Sequence, residues 1–509
     1  MERLLTGSSI GLEKESLRVS PDGSIAQTPH PASLGSALLH PHITTDYSEA
    51  QLEFITPPFD RLQDALACLR DVQQFVYSRL EDELLWATSM PCVVAGGDSI
   101  PVARYGKSNA GIMKMIYRKG LGHRYGRVMQ VISGAHFNYS FSDDLWPALQ
   151  ELRQDRHASK DFITANYFRI LRNLLRFGWL IPYLFGASPA VCKSFLAGKP
   201  TRMQEFDSST YYEPYATSLR MGDIGYQNSR EDAAGIKACY DSLDGYIKSL
   251  ACAIETPCPS YEKIGVIVDG EYRQLNANIL QIENEYYSSV RPKQVPDRNE
   301  KPIRALQQRG VRYIELRSLD INAYDPLGIN EDQCRFLEIL MTFSLFENSP
   351  PQSELERREI DFNLAAVAHQ GRNPALHLQR QGKTVPLRLW ATELCEAMQD
   401  YAGLLDSVHG GEAYRQALAA QCMTVRDPEL TPSARMLTEM RECGEGFYHF
   451  ASRMSHKHER YFRTLPVDRE KEQFFSNAVE TSLREQRELE ESDDLSFEDY
   501  LCHYFDESL

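Results

Sequence analysis

A chain of 509 residues with 42% hydrophobic and 25% charged residues has an ordinary globular composition, which argues against collagen-like, wholly disordered and membrane-spanning classes. Its 55 Lys+Arg against 71 Asp+Glu give a formal charge of −16. There is thus no broad cationic field for nucleic-acid backbone or anionic lipid, and an anionic ligand must be met by local basic groups or metal ions.

In chain order, Met1–Gly7 holds no apolar run and no cleavage-like site before Glu13, so a secretory signal is not expected and the location expected is cytoplasmic. Ile10–Val19, Ile43–Ile55 and Arg127–Ser140 read as strands bounded by turn residues such as Pro21-Asp22-Gly23 and Pro57-Pro58. Between them Leu62, Leu66, Leu69, Val72, Val76, Leu80 and Leu84 recur at three- or four-residue steps, which predicts a helix with one apolar face. A second helix is expected over about Phe162–Phe177, and strands over Lys263–Val268, Leu275–Ile282 and Val311–Leu319. The longest apolar stretch, Phe177–Val191, is too short to span a bilayer and contains Pro182 and Pro189.

From Glu331 onward strand signals nearly vanish and helical spacing takes over, in Phe336, Leu337, Leu340 and Phe343 and again over Leu387–Leu405 and Gly411–Cys422. The tail from Thr481 to Tyr500 holds eight acids against Arg484 and Arg487, and reads as a solvated helix or frayed end. No repeat and no Gly-, Ser- or Pro-rich linker separates domains. The expectation is a mixed α/β catalytic core over 1–330, with a mainly helical portion over 331–509 packed on the same body. The 11 cysteines, scattered from Cys68 to Cys502 without a CxxC, predict reduced packing thiols rather than a disulfide framework or zinc ribbon.

Nucleotide loops with known spacing are absent. Gly106-Lys107-Ser108, Gly198-Lys199 and Gly382-Lys383-Thr384 each lack the upstream glycine of a P-loop, and Gly120-Leu121-Gly122-His123-Arg124-Tyr125-Gly126 has one residue too many for a dinucleotide turn. His456-Lys457-His458 has no carboxylate or cysteine at metal-ligand spacing and reads as an exposed helix feature.

The acids carry more information. In a strand over Ile10–Val19, alternation puts Glu13 and Glu15 on one face with Leu17 and Val19, roughly 7 Å apart, where they repel unless a cation lies between them. The bland alternative is an exposed edge strand whose charge Lys14 and Arg18 balance. Asp46, Glu49 and Glu53 fall in a second β-rich segment, with Glu53 among Leu52, Phe54 and Ile55. In Val311–Leu319, alternation groups Tyr313, Glu315 and Arg317, for which the bland reading is an intrastrand ion pair. Several carboxylates with few histidines suit hard cations, Mg²⁺ or Mn²⁺, and an adjacent arginine suits phosphate oxygens. Together they point to phosphoryl transfer without a P-loop.

At these residues the sequence resembles the proteobacterial-type glutamate–cysteine ligase family, also called γ-glutamylcysteine synthetases. Gly11–Val19, Ile43–Asp46, Leu52–Pro57, Ser89–Cys92, Ile132–Asn138, Phe177–Pro189, Tyr215–Arg220, Leu280–Glu285 and Tyr313–Asp320 follow the family's order, and Ser407–Tyr414 is a later anchor. One departure is that Glu13 comes almost at once, where relatives carry a turn or more of helix before the first strand. The resemblance implies an α+β fold related to glutamine synthetase, an antiparallel sheet curled into a funnel and surrounded by helices. It implies Glu13, Glu15, Asp46, Glu53, His136 and Glu315 as metal ligands, Arg317 and Glu53 as catalytic, and Arg317 and Arg118 near nucleotide. Arg220 matches a substrate-carboxylate ligand, and Tyr47, Tyr117, Tyr226 and Tyr287 are candidates for a cysteine pocket.

The implied reaction is ATP-dependent ligation of the L-glutamate γ-carboxylate to the amine of L-cysteine through a γ-glutamyl phosphate, the first step of glutathione synthesis. Mg²⁺ or Mn²⁺ is the expected cofactor, ATP the co-substrate, and a monomer without nucleic-acid or membrane partners the expected state. No fused glutathione synthetase unit is expected after the ligase region. Two rivals use the same acids: a related carboxylate–amine ligase with another acceptor, and a two-metal phosphohydrolase.

Overall fold

A computed structural model describes residues 4–225, 237–297 and 300–506. Its centre is one antiparallel sheet. In chain order the strands are β1 (Ser9–Val19), β2 (Ile43–Thr45), β3 (Gln51–Ile55), β4 (Leu84–Leu85), β5 (Gly134–Ser140), β6 (Val290–Lys293) and β7 (Tyr313–Asp320). They lie in the order β6-β7-β5-β1-β3-β2, with β4 paired to the end of β1.

β1 is therefore a central strand, not an exposed edge. Leu12 pairs with Phe137 and Glu13 with His136 on β5, while Glu15 pairs with Glu53 on β3. Phe137 also stands opposite Leu316, and Asn138 opposite Glu315. Because side chains alternate, one face carries Leu12, Leu52, Phe54, Phe137, Tyr139, Ile314 and Leu316, all buried. The other carries Glu13, Glu15, Glu53, His136, Asn138, Glu315 and Arg317.

The apolar face packs on helices with matching stripes. Helix α1 (Leu62–Tyr77) supplies Leu69, Val72 and Val76. The helices Ser159–Phe177 and Glu331–Phe346 supply Phe168 and Leu171, and Phe336 and Leu340. Lys14 and Arg18 point to this side and do not balance Glu13 and Glu15. Lys14 Nζ donates to Gln73 Oε1 at 2.6 Å, and the buried Arg18 pairs with Glu83.

Helix α2 (Asn109–Tyr125) lies over the polar face, capped by the Ser108 hydroxyl, which accepts from Gly111 N. Two of its glycines are spatial requirements, despite glycine's poor helix propensity. A Cβ at Gly120 would fall 2.1 Å from Gln281 Oε1, and one at Gly122 would fall 2.3 Å from the Tyr47 hydroxyl. The Gly120–Gly126 resemblance to a dinucleotide turn is thus the close-packed end of a helix. Likewise Gly106-Lys107-Ser108 leads into the α2 cap, and Gly382-Lys383-Thr384 turns a hairpin.

Several expected elements differ. The 43–55 strand is a hairpin, broken where Asp46 N bonds Gln51 O at 3.0 Å. α1 stops at Tyr77, so Leu80 lies beyond it and Leu84 joins β4. Only Ile267–Val268 of the 263–268 strand forms. Residues 275–282 form no strand, because side chains meet that segment's backbone: Arg124 donates to the Asn276 and Ile279 carbonyls, and Gln281 Oε1 accepts from Leu275 N. The two-stranded hairpin His377–Arg380 and Lys383–Pro386 interrupts the helices after Glu331.

The acidic tail is also more than solvated helix. In the last turn of the helix Arg469–Glu491, Glu490 Oε1 accepts from Lys107 N at 2.8 Å, and just beyond it Asp493 Oδ1 accepts from Asn109 Nδ2 at 2.7 Å. Carboxylates thereby close the N-terminal end of α2, where the helix dipole favours them. His456 is exposed as expected, but His458 is buried, since positions two apart on a helix face different ways. Cys92 and Cys192 form a disulfide across 100 residues, a pairing no local spacing could announce; the other nine cysteines are free. Among the described residues no helix is long and apolar enough to cross a membrane.

Candidate active site

The polar face is the site. His136 Nδ1 and Glu13 Oε2 are hydrogen-bonded at 2.8 Å, and the same nitrogen lies 3.6 Å from Glu315 Oε1. His136 Nε2 is 3.6 Å from Glu15 Oε1. Ligand atoms of Glu13, His136 and Glu315 all fall within 4.8 Å of one another. Asn138 Nδ2 donates to Glu13 Oε1 at 2.8 Å, and Gly134 N donates to Glu15 Oε2 at 2.7 Å.

The group has a deficit of positive charge. Burial first, and then repulsion from Glu13, Asp46 and Glu15, push the Glu53 carboxyl well above the usual range, with Arg317 opposing. Burial and Asp46 likewise raise Glu15. Burial also acts against ionised Glu13, but the His136 hydrogen bond helps to hold it below the usual range. For Glu315, burial is outweighed by Lys293, Arg317 and His136, in that order, and the carboxyl sits far below normal. Glu315 Oε2 is buried without a hydrogen-bond partner, and no hydrogen bond or ion pair from the described residues reaches the Glu53 carboxylate. Unsatisfied carboxylate oxygens, two acids driven toward neutrality and one imidazole fit a hard divalent cation.

Beside this group lies a cavity of about 120 Å³, whose walls include Glu15, Asp46, Tyr47, Tyr117, Arg118 and Arg317. Tyr125, Glu285, Tyr287 and Arg291 complete much of the rest. Arg317 NH1 donates to Glu315 Oε1 at 2.9 Å while its Nε is left without a partner. Arg118 donates to the Asp46 carbonyl and, at 3.1 Å, to Lys114 O, which ties α2 to the β2–β3 turn. The Tyr105 hydroxyl donates to the carbonyls of Thr45 and Asp46, both at 2.8 Å, and fixes the same turn.

The expected residues thus separate into three sets. Glu13, His136 and Glu315 form the tight cluster, with Glu15 and Glu53 paired beside it. Asp46, Tyr47, Tyr117, Arg118, Tyr287 and Arg317 line the cavity with Glu15. Arg220 is fully buried outside that lining, its NH2 donating to Arg317 O at 2.8 Å and its NH1 3.7 Å from Asp320 Oδ1. Tyr226 lies outside the described residues. Glu49, grouped by sequence with Asp46 and Glu53, turns away: its carboxylate accepts from His30 N and Arg104 N, both at 2.6 Å.

Sequence reasoning missed Asn138, Arg291, Lys293 and the Arg124–Glu285 pair. Asn138 follows His136 by two on one strand, so alternation was a sufficient signal. Arg291 and Lys293 alternate in β6, but Pro292 weakens a strand reading and is tolerated only because β6 is an edge. Arg124 NH1 donates to Glu285 Oε1 at 2.9 Å with both side chains fully buried, a pairing across 161 residues that no local pattern carries.

Comparison with known proteins agrees with this geometry. The family model described as glutamate-cysteine ligase matches residues 1–367. The glutamate–cysteine ligase of Pseudomonas paraeruginosa is 50% identical over 501 residues, covering 98% of this chain and 94% of that protein. That of Alcanivorax borkumensis is 48% identical over 507 residues, covering 98% and 96%. A crystal structure of a Francisella tularensis glutamate–cysteine ligase in complex with AMP superposes with a TM-score of 0.92 at 35% identity, covering 98% of each chain.

Proposed function

Because the chain belongs to the glutamate–cysteine ligase family, we propose that the cavity and the adjoining acid cluster are the seat of its reaction. That reaction is the ATP-dependent joining of L-glutamate to L-cysteine, giving γ-glutamylcysteine. A free carboxylate resists attack by an amine, so ATP first converts the glutamate γ-carboxylate to an acyl phosphate. The cysteine amine then displaces phosphate. Little covalent chemistry is left to the protein, whose work is positioning and charge stabilisation.

A divalent cation, Mg²⁺ or Mn²⁺, would be held by Glu13, His136 and Glu315, with Glu15, Asp46 and Glu53 beside them, and would supply neutralisation of phosphoryl oxygens. Arg317 faces the cavity with an unused Nε–H and meets the charge that spreads over the transferred group. Arg220 braces the Arg317 carbonyl from behind; on the family resemblance it takes a substrate carboxylate, which would require its guanidinium to turn from Asp320. Arg118 is assigned to nucleotide. Tyr47, Tyr117 and Tyr287 wall the cavity and are assigned to the thiol-bearing acceptor, with Tyr226 added on the resemblance alone. We take residues 1–330 as the catalytic core and 331–509 as a helical portion of the same body, acting as a cytoplasmic monomer.

The observation that carries this reading is the convergence of Arg317, Arg118, Glu15 and Asp46 in one cavity beside the Glu13–His136–Glu315 cluster. ADP formation should require L-glutamate and L-cysteine together with Mg²⁺. Phosphate release without an amino acid would favour the phosphohydrolase, and equal turnover with ammonia or a polyamine in place of cysteine would favour the other ligase.

A further inference from the structure

Strand β6 brings to the acid cluster a cation that the cavity does not use. Lys293 pairs across β6–β7 with Tyr313, and its Nζ lies 3.4 Å from Glu315 Oε2. Arg317 holds the other oxygen, Oε1, at 2.9 Å. The two cations differ in setting. Arg317 lines the cavity, whereas Lys293 does not and is one-third exposed beside a carboxylate that is 2% exposed.

Nζ lies close to Oε2 without completing a hydrogen bond, a contact of charge rather than of fixed geometry. An ammonium on a four-carbon stem is a mobile, strongly hydrated point charge, unlike a guanidinium fork. On the same carboxylate falls the group of ligand atoms within 4.8 Å shared with Glu13 and His136. A divalent cation there would contend with Lys293 for the charge of Glu315. Of the two cations on Glu315, Lys293 can withdraw to water at least cost.

We propose that Lys293 is the exchangeable counter-ion of Glu315: it neutralises this carboxylate while no divalent cation is bound and gives it up when one binds. The inference rests on the reading that a cation is held by Glu13, His136 and Glu315. Lys293 then weakens resting metal affinity and protects the metal-free sheet from carboxylate repulsion. A plain structural ion pair would do the second and not the first.

The test is equilibrium Mn²⁺ binding, followed by the resonance of free Mn²⁺ without nucleotide or amino acids, together with unfolding midpoints in chelator and in Mn²⁺. Wild type is compared with Lys293→Met, Lys293→Gln, Lys293→Arg and Glu315→Gln. Lys293→Met and Lys293→Gln should bind Mn²⁺ about three- to tenfold more tightly, the range expected for a charge pair with one partly exposed member. Their midpoints should be lower in chelator and gain more from Mn²⁺ than the wild type's. Lys293→Arg should bind no more tightly than wild type. If Glu315→Gln loses Mn²⁺ but neither Lys293→Met nor Lys293→Gln tightens it, the counter-ion role is overturned and the metal site stands. If Glu315→Gln binds Mn²⁺ like wild type, the metal site and the counter-ion fall together.

Discussion

The two faces of the central sheet are built from the same strands and differ in how completely they satisfy themselves. On one, Leu12, Phe137 and Leu316 stand side by side across three strands and are dry. One residue along, Glu13 meets His136 and Glu315 meets Asn138, and the row is short of positive charge. Even the charged groups on the dry face have partners, Arg18 in Glu83 and Lys14 in Gln73. Burial draws the Lys14 pKa down to about 7, Asp325 opposes this, and Nζ donates a hydrogen bond to Gln73 Oε1 at 2.6 Å. Glu53 on the polar face has no such partner among the described residues. A fold that satisfies a lysine on one side and leaves acids wanting on the other reserves the second side for ligands.

The sharpest break in this comparison is Glu53→Gln or Glu15→Gln. Either keeps the shape and removes a negative charge, so turnover at limiting Mg²⁺ should fall by two orders of magnitude or more. Unfolding midpoints should hold or rise, since repulsion is relieved. Full activity in both variants would end the assignment of these acids to the cation.

Arg317→Lys comes next. It keeps the charge but loses the planar donors, and kcat should fall about tenfold or more while the KM for glutamate moves less. If Arg317 is only the strand partner of Glu315, Lys will serve nearly as well, and steady-state kinetics with all three substrates varied will show it.

On the dry face the effect should be on stability alone. Leu69→Ala, beneath the sheet on α1 and fully buried, should cost about 2–5 kcal/mol in urea unfolding. The kcat per folded molecule should stay near wild type. A variant with normal stability and lost activity would reverse the roles assigned to the two faces.

The smallest effect tests a half-buried imidazole outside both faces. The His30 side chain is half-buried, with both ring nitrogens shielded from solvent. Burial, then Arg18, lowers its pKa to about 4, with a Gly35 hydrogen bond opposing. Since its folded pKa lies below the unfolded value, the unfolded chain takes up the proton first as pH falls. Stability should be level above about pH 6.5 and decline from there toward pH 4, by up to about 3 kcal/mol from this residue. Urea midpoints measured across that range should slope less in His30→Gln; an identical slope would acquit His30.

Much of this was legible because strand alternation is local. Glu13 and Glu15, and Tyr313, Glu315 and Arg317, could be grouped from spacing alone, and the motif order carried the fold. The helix over Leu62–Tyr77 was legible for the same reason, although its apolar spacing ran on past a chain reversal into β4. Where the backbone is satisfied by distant side chains, as around Gln274–Glu285, apolar spacing suggested a strand that does not exist. The edge strand carrying Lys293 was hidden by Pro292.

By itself, the sequence determined which acids share a face, since period-two geometry depends only on neighbours. It also determined that no P-loop is present, since that device is a matter of spacing. Tertiary structure alone decided that β1 is central, so that Lys14 is consumed by the core and cannot neutralise Glu13 and Glu15. It also decided that Asp46 and Glu49, three residues apart, go to the cavity and to a loop respectively. The pairings Arg124–Glu285 and Cys92–Cys192 belong to it as well. Each depends on strand order or on contacts between residues distant in the chain, where burial and charge are set by the groups the fold brings near and not by those the chain places next in line.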